Sequence, residues 1–153
     1  HELHDDQKSS WKESFKNQMI FIGELESGGF VDQRILYVDR IGLLSKLYRF
    51  ASVAYIGGGF GKAVHNTLEA AVYNIPVIFG LKNSRFQEIQ TLKELGIGIE
   101  IKSEPELSQA LDKALSDKEY QTLVKNASKE FFQSQRGASD EIVQWIEKAS
   151  KRK

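Results

Sequence analysis

Cysteine is absent from the 153-residue sequence. Structural disulfides, thiolate metal sites and a cysteine nucleophile are therefore excluded. An excess of one charge is missing too: 21 Lys and Arg balance 21 Asp and Glu. Electrostatics alone thus points neither to a nucleic-acid binder nor to a basic membrane-surface protein. No apolar run approaches the length of a transmembrane helix. No secretory signal pattern, internal repeat or low-complexity tract is found. The sequence opens on His1 instead of Met, and it reads as an excised piece of a longer protein.

What is present is a globular composition, 41% hydrophobic and 27% charged. The length suits one domain over 1–153, and such a chain buries roughly 68–70% of its unfolded surface. Short β-rich runs alternate with helical patterns. The runs are Met19–Gly23, Ile35–Val38, Val53–Gly57, Pro76–Phe79 and Ile97–Ile101. They are nearly continuous apolar stretches, as expected of strands covered on both faces. Helices are predicted over Gly42–Phe50 (Leu43, Leu44, Leu47 and Phe50 inward), Asn66–Asn74 and Phe86–Leu95, the last stopped by Gly96. Ser103 with Glu106 forms a capping box for another helix, and Asp117 caps the next, to about Phe132. Ser139 or Asp140 caps a third, with Ile142, Val143, Trp145 and Ile146 on one side. Asp5–Lys16 is a further helix, with Trp11 and Phe15 at i, i+4. Lys148–Lys153 reads as a solvated tail. The alternation predicts an α/β fold, a doubly wound parallel Rossmann-like sheet of about five strands. Such a sheet usually starts on a strand, so the opening helix is read as the sign of a truncated first strand.

The segment Val53–Glu69 carries the chemistry. A strand runs into Gly57, Gly58 and Gly59, then Gly61, and a helix opens near His65 and Asn66. Glycines at the carboxyl end of a strand let the backbone turn sharply and approach a ligand. The following helix directs free N–H groups at that point, which suits an anion, above all a phosphate. A tight turn with no ligand fits the glycines equally. The spacing matches neither the P-loop nor the dinucleotide fingerprint. Asn66 suits a helix N-cap. Glu69 suits either of two roles: closing a capping box to Asn66, or accepting two vicinal ribose hydroxyls in the cleft. His65 is a local hydrogen-bonding residue or a site residue. With His1, His4 and His65 the only histidines and no cysteine, a zinc site is not expected.

Gly57-Gly58-Gly59, then His65-Asn66-x-Leu68-Glu69-Ala70-Ala71, then Ile75-Pro76-Val77-Ile78-Phe79-Gly80 resembles the nucleotide-binding domain of the Kdo (3-deoxy-D-manno-octulosonic acid) transferases. Val38-Asp39-x-x-Gly42-x-Leu44 with Leu47-Tyr48, Phe86-x-Glu88 and Gln135-Arg136-Gly137-Ala138 are similar to further segments of that family. Arg40, Leu43, Ala70 and Leu81 depart from its pattern, so contacts by the family's own side chains at Arg40 and Leu43 do not carry over. The resemblance covers essentially the whole chain and the second half of the family's full-length protein. It implies the C-terminal, donor-binding half of a GT-B glycosyltransferase. That enzyme moves Kdo from CMP-Kdo to a lipid A precursor in lipopolysaccharide synthesis, at the cytoplasmic face of the bacterial inner membrane. It implies nucleotide contacts by Gly57, Gly58, Gly59, Gly61, His65, Asn66 and Glu69, and by Gly42 and Leu43 in the Asp39–Leu44 loop near the base. It further implies no metal or other cofactor, no nucleic-acid partner, and a catalytic base in the N-terminal acceptor half, which the chain lacks. Two other classes fit the pattern: a GT-B enzyme using a UDP-sugar, and a non-enzymatic receiver-like module with Asp39 at a strand end.

Overall fold

The computed structural model describes residues 5–15, 18–26, 32–38, 40–57, 66–81, 87–135 and 137, with residues 142, 143, 145, 146 and 148 beyond them. The chain divides into two compact units, His1–Leu47 and Tyr48–Lys153.

The first unit contains α1 (Asp5–Ser14), β1 (Met19–Phe21), α2 (Ile22–Glu26), β2 (Ile35–Tyr37) and α3 (Leu44–Leu47). β1 and β2 pair in parallel, Met19 opposite Ile35 and Phe21 opposite Tyr37. Three aromatic rings close this unit. Trp11 meets Tyr37 edge-on at 5.3 Å, and Phe21 meets Tyr37 at 5.3 Å. The predicted strand to Gly23 stops early, at Phe21, and Ile22 opens a helix instead. Glu24 Oε2 accepts the Phe21 N–H at 3.1 Å and holds the turn, while Lys12 pairs with Glu24 Oε1 at 2.5 Å.

The second unit opens with a 3-10 turn, Tyr48–Phe50, followed by β3 (Ala54–Ile56), α4 (Leu68–Ala71), β4 (Val77–Gly80), α5 (Gln87–Glu94), β5 (Gly98–Ile101), α6 (Glu104–Ser116) and α7 (Lys118–Ser134). β3, β4 and β5 form a parallel sheet in that order. The five expected strands are all present and every pairing is parallel, divided between a two-stranded and a three-stranded sheet.

β4 is buried along its whole length, which explains its unbroken apolar run. Val77 and Phe79 share one cluster with Ala54, Ile56, Ala70, Ala71, Ile89, Leu92 and Val124. Ile78 turns to the other face, with Ile101 and Ala110. Both α4 and α5, which link these strands, contribute to the first cluster.

The ends of the helices follow local chemistry. Gly96, at φ +71, stops α5. Its N–H reaches the Lys93 carbonyl at 3.0 Å, and the Ile97 N–H reaches Leu92 at 2.9 Å, the paired bonds of a Schellman motif. Ser103 accepts from the Glu106 N–H and Asp117 from the Tyr120 N–H, both as predicted. The helix predicted over Gly42–Phe50 is shorter and ends in the 3-10 turn. With three residues per turn there, Phe50 lies 81% exposed and Tyr48 is buried instead. Leu44 is exposed as well. Ile142, Val143, Trp145 and Ile146 are helical and exposed; Ser139 and Asp140 lie outside the described residues. No described helix is long and apolar enough to cross a membrane.

Candidate functional site

The site is built where β3 ends and α4 begins. Gly57 follows β3 directly and is exposed, with nothing within 4 Å of the place a Cβ would take. Gly58, Gly59, Gly61 and His65 lie outside the described residues, as do Asp39 and Phe86. Gly57, directly after the last residue of β3, stands at the end of the sheet where that strand finishes. Open α/β sheets receive ligands on that side.

α4 is shorter than the predicted Asn66–Asn74. Only Leu68–Ala71 is α-helical, and the chain then tightens: the Tyr73 N–H reaches Ala70 and the Asn74 N–H reaches Ala71. Asn74 stands at φ +60, a left-handed conformation that asparagine tolerates and that ends the helix before Pro76. A helix of about one turn adds little dipole to an anion site.

Thr67, and not Asn66, occupies the N-cap position, and its side chain makes no capping bond. Asn66 caps from one residue further out. Its Oδ1 accepts the Leu68 N–H at 3.1 Å, and its Nδ2 donates to Glu69 Oε1 at 3.0 Å. Glu69 therefore grips the side chain of Asn66, where a capping box would take its backbone N–H. Both residues are exposed. The result is a surface carboxylate with one oxygen fixed by an amide. Oε2 accepts no hydrogen bond among the described residues, which suits it to hydroxyl donors.

Beneath this turn lies Tyr48, 9% exposed, its ring 6.3 Å from that of Tyr73. Burial pushes its phenol above the usual range, and the nearby Glu69 charge adds to the shift. Tyr48 shares a core cluster with Ala70 and Ala71, so it supports the turn that carries Glu69. Sequence reading met Tyr48 only as part of a motif; its place beneath the site was not foreseen. Thr67 was also missed. It is 2% exposed and its Oγ1 has no hydrogen-bond partner among the described residues.

Gly42 and Leu43 belong to the first unit. Gly42 has φ +85 and open space around its Cβ position, so backbone conformation, not crowding, requires glycine there. The Leu43 carbonyl accepts the Lys46 and Leu47 N–H groups at 3.0 and 3.1 Å and so opens α3. Ile41 beside them is fully exposed.

No family model matches the chain. Among curated proteins, it is 36% identical over 112 residues to a 3-deoxy-D-manno-octulosonic acid transferase of Aquifex aeolicus, covering 67% of this chain and 32% of that protein. The chain is related to the Kdo transferases. The Kdo transferase of Rickettsia bellii is 33% identical over 72% of this chain and 27% of its own length. That of Haemophilus influenzae is 30% identical over 72% and 26%. The chain thus spans about a third or less of these Kdo transferases. Its fold matches the crystal structure of the C-terminal CMP-Kdo binding domain of WaaA from Acinetobacter baumannii, with a TM-score of 0.64 and 19% identity. That match covers 81% of this chain and 66% of the other, and it supports the α/β assignment.

Proposed function

We propose that the chain is the donor-binding half of a metal-independent glycosyltransferase that moves Kdo from CMP-Kdo to a lipid A precursor at the inner membrane. The observation that carries the reading is Glu69: an exposed carboxylate, held at 3.0 Å by Asn66, on the turn that follows the glycine segment. The carboxylate oxygen that Asn66 leaves open has lone pairs for the vicinal hydroxyls of a ribose. The glycine segment supplies backbone N–H groups for the phosphate, whose charge the carboxylate would repel. Relatedness to the Kdo transferases supports cytidine as the base and Kdo as the sugar. The catalytic base and the acceptor site belong, in this reading, to the N-terminal half of the full-length enzyme. The chain alone then binds nucleotide but transfers no sugar.

Calorimetric titration with CMP, and with UMP in competition, tests this. CMP binds in preference to UMP. Glu69→Gln keeps the size of the side chain, loses its charge and turns one acceptor into a donor. Hydrogen bonds to charged groups contribute about 1.5–3 kcal/mol, so CMP affinity falls by roughly 10- to 150-fold. Preference for UMP would move the chain to the UDP-sugar enzymes. Unchanged CMP affinity with a lowered melting temperature would leave Glu69 as a purely structural residue.

A further inference from the structure

We propose that Asn66 is a positioning residue that acts on the ligand only through Glu69. This inference rests on the ribose role of Glu69 and assigns the neighbouring side chain a different task from the phosphate contact that its place beside the glycine segment suggests. The amide of Asn66 is committed at both ends. Its oxygen accepts the Leu68 N–H at 3.1 Å, and its nitrogen donates to Glu69 Oε1 at 3.0 Å. Nδ2 carries a second N–H, but turning the amide away from Glu69 to give both donors to a phosphate would release the carboxylate. α4 is only four residues long, so the helix itself does little to immobilise a side chain on its first turn. The amide supplies what the short helix lacks. It fixes one carboxylate oxygen and leaves the other for the ligand hydroxyls, so that less side-chain freedom is lost on binding.

The experiment separates ribose from phosphate. Asn66→Ser keeps an oxygen that can cap the turn but has no amide to reach Glu69. Cytidine, CMP and 2′,3′-dideoxy-CMP are titrated into the 153-residue chain and its variants, with thermal melts alongside. Asn66→Ser is expected to weaken cytidine and CMP by the same factor, about tenfold. Dideoxy-CMP, which has no vicinal hydroxyls, is expected to bind both forms alike. In the Glu69→Gln background the serine substitution then adds nothing, because the two residues form one unit. Asn66→Asp covers the case in which the serine variant does not fold. It is isosteric, still caps and lacks the donor, and it is read with cytidine, which has no phosphate for the new charge to repel.

A loss confined to the phosphate-bearing ligands would overturn the inference and make Asn66 a direct phosphate contact. Full additivity with Glu69→Gln would overturn it as well. If Glu69→Gln weakens cytidine while Asn66→Ser spares it, the ribose reading stands and this inference alone falls. If the unaltered chain binds neither cytidine nor CMP, the nucleotide reading falls first and takes this one with it.

Discussion

The ring of Phe79 occupies the space where a side chain at Gly98 would stand. A Cβ there would lie 2.9 Å from both Cε1 and Cζ of the ring and 3.3 Å from the Leu92 carbonyl carbon. Phe79 is fully buried in β4 and Gly98 begins β5 beside it. The ring cannot swing out, because the core packs it in the cluster that also holds Ile89 and Leu92. Gly98→Ala is therefore expected to destabilise the fold by about 1–3 kcal/mol, the usual cost of overpacking. Chemical denaturation checks it. A midpoint equal to that of the unaltered chain would show that the sheet yields there freely.

Thr67 holds a hydroxyl in the wrong place for stability. It is 2% exposed, and Oγ1 finds no hydrogen-bond partner among the described residues. An unpaired buried polar group costs about 1–3 kcal/mol. Thr67→Val keeps the shape and removes the hydroxyl, so the melt should shift upward by about 1 kcal/mol or more. The backbone at Thr67, φ −80 and ψ −26, accepts valine without strain. A lower melting temperature would show that the hydroxyl is paired in solution.

The strands were legible because burial on both faces leaves an uninterrupted apolar signature. Val77–Gly80 and Gly98–Ile101 lie within one residue of the predicted runs. Helices announced by a cap residue were legible as well: Ser103 and Asp117 open α6 and α7 as expected. What failed were lengths set by backbone geometry at single residues. Asn74 in the left-handed region and the 3-10 turn at Tyr48–Phe50 leave no periodic trace. The pair Asn66 and Glu69 was visible as a spacing, but spacing does not distinguish a backbone from a side-chain donor. The orphaned hydroxyl of Thr67 and the buried Tyr48 depend on tertiary packing, which one sequence does not display.

The last prediction concerns alkaline stability. Asp117 Oδ1 accepts the Tyr120 N–H at 2.9 Å and caps α7. Tyr120 is buried, with no hydrogen-bond partner for its hydroxyl among the described residues. Burial first, and the Asp117 charge second, push its phenol from the usual 10.0 up to about 12. The folded state thus favours the neutral phenol and holds its proton longer than the unfolded chain does. The corresponding stability is complete below pH 10.0 and is lost as pH rises through about 12. Two pH units would correspond to about 2.7 kcal/mol, which solvent screening of a partly wetted phenol reduces to on the order of 1–2 kcal/mol. Tyr120→Phe removes the titrating group, so its stability should fall less steeply over that window, while the variant also sheds an unpaired hydroxyl. Asp117→Asn keeps a good capping side chain but removes the charge, so the phenol should titrate at lower pH while still above the ordinary value, because burial remains. Denaturation midpoints across the alkaline range, with tyrosinate absorbance difference spectra against Tyr120→Phe, measure both effects. Parallel stability curves for the unaltered chain and Tyr120→Phe would show that this phenol does not govern alkaline unfolding.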